Sequence, residues 1–145
     1  MRFISIDEQD VTLSTLESAL KRTEAACLIE RDEESDSEGV LTYKGDVYGQ
    51  IEVNRLGDEL FDAEIEELKE SVQAADGAKR SEVLSVLNQA KAIIALRVLD
   101  QGRESEETLG KIDPLWQWLF AEREGLLQAD SEGYYDASGL VLKVG

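Results

Sequence analysis

The pattern of hydrophobic and polar residues at the start of the chain predicts a strand, a helix and a second strand. RFISI (2–6) is a β-prone run, and ACLIER (26–31) is a short apolar run typical of a buried strand. Between these runs, apolar residues recur at helical spacing: Leu13, Leu16 and Leu20. Asp10 or Thr12 is suited to cap this helix, because a short polar side chain accepts a hydrogen bond from the first free amides.

The next segment alternates with a period of two and predicts a β-hairpin. VLTY (40–43) and VYGQIEV (47–53) flank a glycine-containing turn at 44–46. One face of the second strand is then expected to carry Val47, Gly49, Ile51 and Val53. The opposite face is expected to carry Tyr48, Gln50, Glu52 and Asn54.

Helical periodicity dominates the middle of the chain. Four apolar residues mark one face of a helix of about 15 residues: Phe61, Ile65, Leu68 and Val72. Gly77 ends this helix, and Ser81 is suited to cap a third helix over 82–99. Apolar residues lie on nearly all sides of that third helix, which predicts that it is the central, buried one.

The stretch DPLWQWLF (113–120) is the densest apolar run, with two tryptophans and a phenylalanine. Asp113 as the capping residue and Pro114 in the first turn predict a fourth helix that continues to about Gln128. Residues 100–112 are expected to form an exposed connection. GYYD and GLVLKV predict a final hairpin.

Clustered strands followed by clustered helices predict an α+β fold in one domain, residues 1–145. We expect a small, mostly antiparallel sheet packed against about four helices. The N-terminal strand, the hairpin and the C-terminal strands would supply this sheet.

Charge narrows the classes of partner. The chain has 32 acidic and 15 basic residues, a net charge of −17, and residues 1–76 alone hold 21 acids and 7 bases. Such a field repels phosphates, so direct nucleic-acid binding and binding to an anionic membrane are not expected. It attracts a basic protein surface. Solubility, or a proteome that is acid-rich in general, is the alternative explanation of the acidity.

The residue types that usually carry catalysis or metal binding are scarce. There is no histidine and a single cysteine, Cys27, in an apolar run that predicts burial. No phosphate-binding glycine motif occurs. The segment 32–43 places Asp32, Glu34 and Asp36 at calcium-loop positions, but Ser37 and Tyr43 stand where glycine and glutamate are required. We therefore expect no catalytic residues, no cofactor and no metal.

Two features are candidate partner-binding sites. The first is the outer face of the helix over 57–72, which carries Asp58, Glu59, Asp62, Glu66 and Glu70. A basic partner could dock there, whereas the alternative is a solvated face. The second is Trp116 with Phe120, which stack at i,i+4. They belong to the core, to a patch for a partner or homodimer, or to a small-molecule pocket.

These observations favour a non-enzymatic acidic interaction domain, such as an inhibitor, an immunity-type protein or an adaptor. It would bind a basic protein partner through its acidic N-terminal half. Mimicry of nucleic acid by rows of carboxylates is a special case of this hypothesis. The alternative is a small carboxylate-dependent enzyme or a ligand-binding domain with an aromatic-lined pocket. Formation of a homodimer is a further alternative that the sequence leaves undecided. The absence of a signal-like apolar run near the N-terminus predicts a cytoplasmic location.

Overall fold

The computed structural model of the chain describes residues 1–23, 26–31 and 37–144. These residues form eight strands and four helices. The strands are β1 (Arg2–Ser5), β2 (Cys27–Arg31), β3 (Glu38–Tyr43), β4 (Asp46–Arg55), β5 (Ala92–Val98), β6 (Gly125–Ala129), β7 (Gly133–Asp136) and β8 (Gly139–Lys143). The helices are α1 (Leu13–Thr23), α2 (Glu59–Gln73), α3 (Arg80–Gln89) and α4 (Ser105–Glu122).

All the described strands join one antiparallel sheet in the order β2-β3-β4-β5-β1-β6-β7-β8. β1 and β5 pair at its centre, and β2 and β8 are the outermost strands. The predicted α+β class, with a mostly antiparallel sheet and four helices, is confirmed.

Helices pack on both faces of this sheet, which divides the core in two. Neighbouring residues of β1 show the division, because consecutive side chains of a strand point to opposite faces. Phe3 packs with buried residues of α1 and α4. Ile4 packs with buried residues of α2 and α3.

The hairpin β3–β4 forms as predicted, with one difference in side-chain direction. Its turn has positive φ at Lys44 (51°) and Gly45 (85°), which matches the right-handed twist of the two strands. The register shifts after Leu41, so Tyr48 is an extra residue without a partner. Tyr48 therefore lies in the same core cluster as Ile51 and Val53, not on the opposite face as predicted.

The predicted third helix over 82–99 is wrong in its second half. α3 ends at Gln89, and the apolar run that follows is the central strand β5. Ile93 and Ile94 are both fully buried, one in each core cluster. A strand covered on both faces is apolar at every position, and over a short run this pattern does not differ from that of a buried helix.

The predicted start and end of the fourth helix are also wrong. α4 begins at Ser105, so Pro114 lies inside it, and β6 replaces the predicted last turns. Ile112 and Thr108 are fully buried, one and two turns before Trp116 respectively, which shows why the helix continues through the expected connection. The N-cap position of α3 is likewise not Ser81 but Lys79, whose side chain makes no capping hydrogen bond.

Other local predictions are confirmed. The backbone amide of Thr15 donates to Thr12 Oγ1 at 3.0 Å, so Thr12 caps α1. α2 has 15 residues and buries its four predicted apolar side chains. Cys27 is buried, and β7 and β8 form the final hairpin.

Candidate functional site

The outer face of α2 is acidic and accessible. All five predicted residues are exposed: Asp58, Glu59, Asp62, Glu66 and Glu70. Lys69 is the single basic residue of the helix, and its Nζ lies 3.7 Å from Glu66 Oε1. We call these five carboxylates the acidic helix face. Their charge is largely uncompensated within the helix itself.

Two exposed leucines adjoin the start of this helix. Leu56 is 59% exposed and Leu60 is 65% exposed. Leu60 is next to Phe61 in sequence but lies about 100° away around the helix, so it misses the buried stripe. Apolar side chains surrounded by charged ones are typical of protein interfaces. Reasoning from the sequence does not select this pair. One indication was available, because Leu60 does not fit the helical spacing of the apolar residues that begin with Phe61.

The aromatic candidates lie on the other side of the sheet. Trp116 is 4% exposed and belongs to the core cluster of α1 and α4. The half-buried ring of Phe120 meets Phe3 edge-on, with centroids 5.4 Å apart. Trp118 is also half-buried, with the Arg123 guanidinium 5.1 Å from its ring. The structure therefore does not bring these rings together with the acidic helix face.

A polar cluster joins α2 to the centre of the sheet. Arg2 donates to Glu64 Oε2 on α2, and also to Gln128 Oε1 at 3.0 Å and Asp130 Oδ1 at 3.1 Å. Burial of Arg2 acts to lower the pKa of its guanidinium, but the hydrogen bonds and negative charges of Glu64 and Asp130 together outweigh burial and raise this pKa. A hydrogen bond from Gln128, together with nearby positive charge, lowers the pKa of Asp130. Arg2 thus fixes one flank of α2 over β1.

On the face of the sheet opposite α1 and α4, α2 and α3 cover Ile93 of β5, and Glu64 of α2 accepts a hydrogen bond from Asn54 of β4. Farther from α2, this face of β2, β3, β4 and β5 is accessible. Paired residues of adjacent strands share this face, which we call the open sheet face. Its side chains are Leu28, Glu30, Glu38, Val40, Gln50, Glu52, Ala95 and Arg97. A groove of about 610 Å³ runs over it. Neither tryptophan lines this groove.

Sequence reasoning did not select the open sheet face. Its residues come from four strands, and their proximity depends on the strand order. The alternation within β4 was a partial signal, since it places Gln50 and Glu52 on one face.

Metal ions and membranes would each require a particular arrangement of the described residues. Within residues 1–23, 26–31 and 37–144, no group of three or more acidic or cysteine side chains is arranged to hold a metal ion. Asp32, Glu34 and Asp36 of the calcium-loop test lie outside the described residues. Among the described helices, none combines the length and the apolar character required of a membrane span.

Comparison of the chain with protein-family models, with curated proteins and with solved structures found no match.

Proposed function

We propose that this chain is a non-enzymatic interaction domain that binds a basic protein partner through its acidic N-terminal half. One observation carries the proposal: the acidic helix face presents five exposed carboxylates, and a single lysine of the same helix opposes them. An inhibitor, an immunity-type protein or an adaptor would use such a face in the same way.

The arrangement of charge and apolar surface supports this function. Like charges four residues apart, such as Asp62, Glu66 and Glu70, cost each helix pair about 0.2–0.5 kcal/mol. A partner that places Lys or Arg side chains between them removes this repulsion and is attracted over long range. Leu56 and Leu60 would provide the desolvated contact that charge alone does not supply.

The test is capture of the partner by the tagged chain from its native lysate, at low and then at high salt. The test variant is D62N/E66Q/E70Q, and the matched control is E106Q/E107Q/E122Q. All six positions are exposed, and both variants remove three charges. The α2 variant also relieves repulsion within the helix, so we expect it to stay folded.

We expect one basic protein to be retained in stoichiometric amount and released at high salt. The α2 variant should retain at least about tenfold less of it, equivalent to the loss of several exposed charge pairs. The control should retain as much as the unmodified chain. Equal retention by both variants, or no basic protein at either salt concentration, would overturn the proposal.

A further inference from the structure

We propose that the open sheet face holds an extended basic segment of the partner, with its Lys or Arg side chains between Glu30, Glu38 and Glu52. This inference rests on the proposed function, which supplies the premise that the partner is basic. It adds a second contact surface, on the sheet rather than on α2.

The three carboxylates are held close together by strand pairing. Glu38 lies directly opposite Glu52 in the β3–β4 register. Glu30 is opposite Val40, two residues along β3 from Glu38, and is therefore a diagonal neighbour. Directly opposite residues have Cβ atoms about 5 Å apart, and diagonal ones about 7–8 Å apart. Like charges at these positions destabilise a sheet unless a cation lies between them.

No cation among the described residues pairs with these carboxylates, although Arg97 lies on the same face as a diagonal neighbour of Glu52. Arg97 lies across from Gln50 on the same face, yet it forms no ion pair within the described residues. Arg31 turns to the opposite side, where its Nε lies 3.3 Å from Glu17 on α1. The side chains of Glu30, Glu38 and Glu52 likewise make no hydrogen bond or ion pair within the part of the chain that the structure describes. An external cation is therefore the complement of this face.

The groove suits a Lys or Arg side chain, which has an apolar stem and a charged end. Half-buried Val40 and Ala95 line the groove between the charged residues. A volume of about 610 Å³ exceeds the space of one long side chain and fits a short run of them. The stems would cover Val40 and Ala95 while the charged ends reach the carboxylates.

Other occupants fit less well. The described carboxylates are not arranged to hold a metal ion. A second copy of the chain would set three carboxylates against three more, at a net charge of −17 per copy. Phosphate groups would be repelled for the same reason. Only a basic polypeptide segment supplies both positive charges for the carboxylates and apolar stems that cover Val40 and Ala95.

The test measures binding of a fluorescein-labelled peptide of alternating arginine and valine, by anisotropy at low salt. The same peptide with citrulline in place of arginine is the neutral probe. E38Q/E52Q removes two charges from the open sheet face, and E66Q/E70Q removes two from the acidic helix face. Val40→Arg places a cation among the three carboxylates and serves as an independent variant.

We expect E38Q/E52Q and Val40→Arg to weaken binding of the arginine peptide at least about tenfold. E66Q/E70Q should change it less than about twofold, and the citrulline peptide should not bind. Circular dichroism checks that each variant is folded. Equal weakening by both double variants would mean that binding follows net charge alone, and would overturn the proposal. So would absence of peptide binding, or a dimer in sedimentation that E38Q/E52Q abolishes.

The same variants separate this proposal from the function on which it rests. A native partner that is lost from D62N/E66Q/E70Q but kept by E38Q/E52Q would overturn the sheet contact and leave the function intact. Selective peptide binding to the open sheet face, with no basic partner in the lysate, would overturn the function and leave the sheet contact intact.

Discussion

Gly125 is a position where a single added methyl group should strongly destabilise the fold. It follows α4 and begins β6, where it pairs with Ser5 of β1. A Cβ at this position would lie 2.1 Å from the carbonyl oxygen of Ile4 and 3.0 Å from Phe3 Cε1. The first contact is with backbone of a strand hydrogen-bonded on both sides, which cannot move without breaking the pairing of β1 with β5 or β6.

Gly125→Ala should therefore lower the free energy of unfolding by about 3 kcal/mol or more, which is the upper end of the cost of overpacking a core. The unfolding entropy of a chain of this length corresponds to about 3 °C per kcal/mol, so Tm should fall by about 10 °C. The matched control is Gly110→Ala, because no atom lies within 4 Å of the Cβ position in the middle of α4. It should raise stability by up to about 1 kcal/mol.

Thermal unfolding followed by circular dichroism measures both variants, and urea unfolding gives the corresponding free energies. A Tm for Gly125→Ala within about 3 °C of the unmodified chain would refute the reasoning. It would show that β6 can move away from β1 at little cost.

Three further predictions test other parts of the structure. Burial raises the pKa of Tyr134 to about 12, so the stability that its neutral hydroxyl contributes is present below pH 10 and is lost as pH rises through about 12. Tyr134→Phe should therefore flatten the alkaline loss of Tm, and an unchanged profile of Tm against pH would contradict this. Leu60→Ser should reduce partner retention yet leave the free energy of urea unfolding within about 0.5 kcal/mol, and a larger loss would contradict its exposed position. Trp118→Phe leaves Trp116, whose fluorescence should resist quenching by acrylamide, a neutral quencher that the negative charge does not repel. Strong quenching would place that ring at the surface.

Local chemistry in the sequence was enough to predict the class of fold and several of its elements. Lys44 and Gly45 form a two-residue hairpin turn with positive φ, and the apolar side chains that begin with Phe61 recur at helical spacing along α2. β5 was missed because Ile93 and Ile94 are buried by layers on both sides of the sheet, and a sequence pattern does not reveal those layers. Pro114 predicts a helix start but lies inside α4, because the preceding turn is held by the burial of Ile112, which depends on tertiary packing.

The two proposed surfaces differ in how far the sequence could predict them. The acidic helix face follows from a single helix, so spacing alone identified its residues. The open sheet face depends on the pairing of Glu38 with Glu52 across the β3–β4 hairpin. It also depends on the pairing of β4 with Arg97 of β5, a segment for which the sequence pattern predicts a helix. The accessibility of this face depends further on where α2 lies. Neither fact is local in sequence.

The central place of β1 has a consequence for how the chain folds. Ile4 pairs with Ile93 on one side and Leu126 on the other, partners about 90 and 120 residues away. Such distant contacts predict slow folding. During synthesis β1 leaves the ribosome before β5 and β6, and it stays unpaired until both have followed. The strong negative charge of the early part of the chain would repel neighbouring nascent chains during that wait and oppose their aggregation.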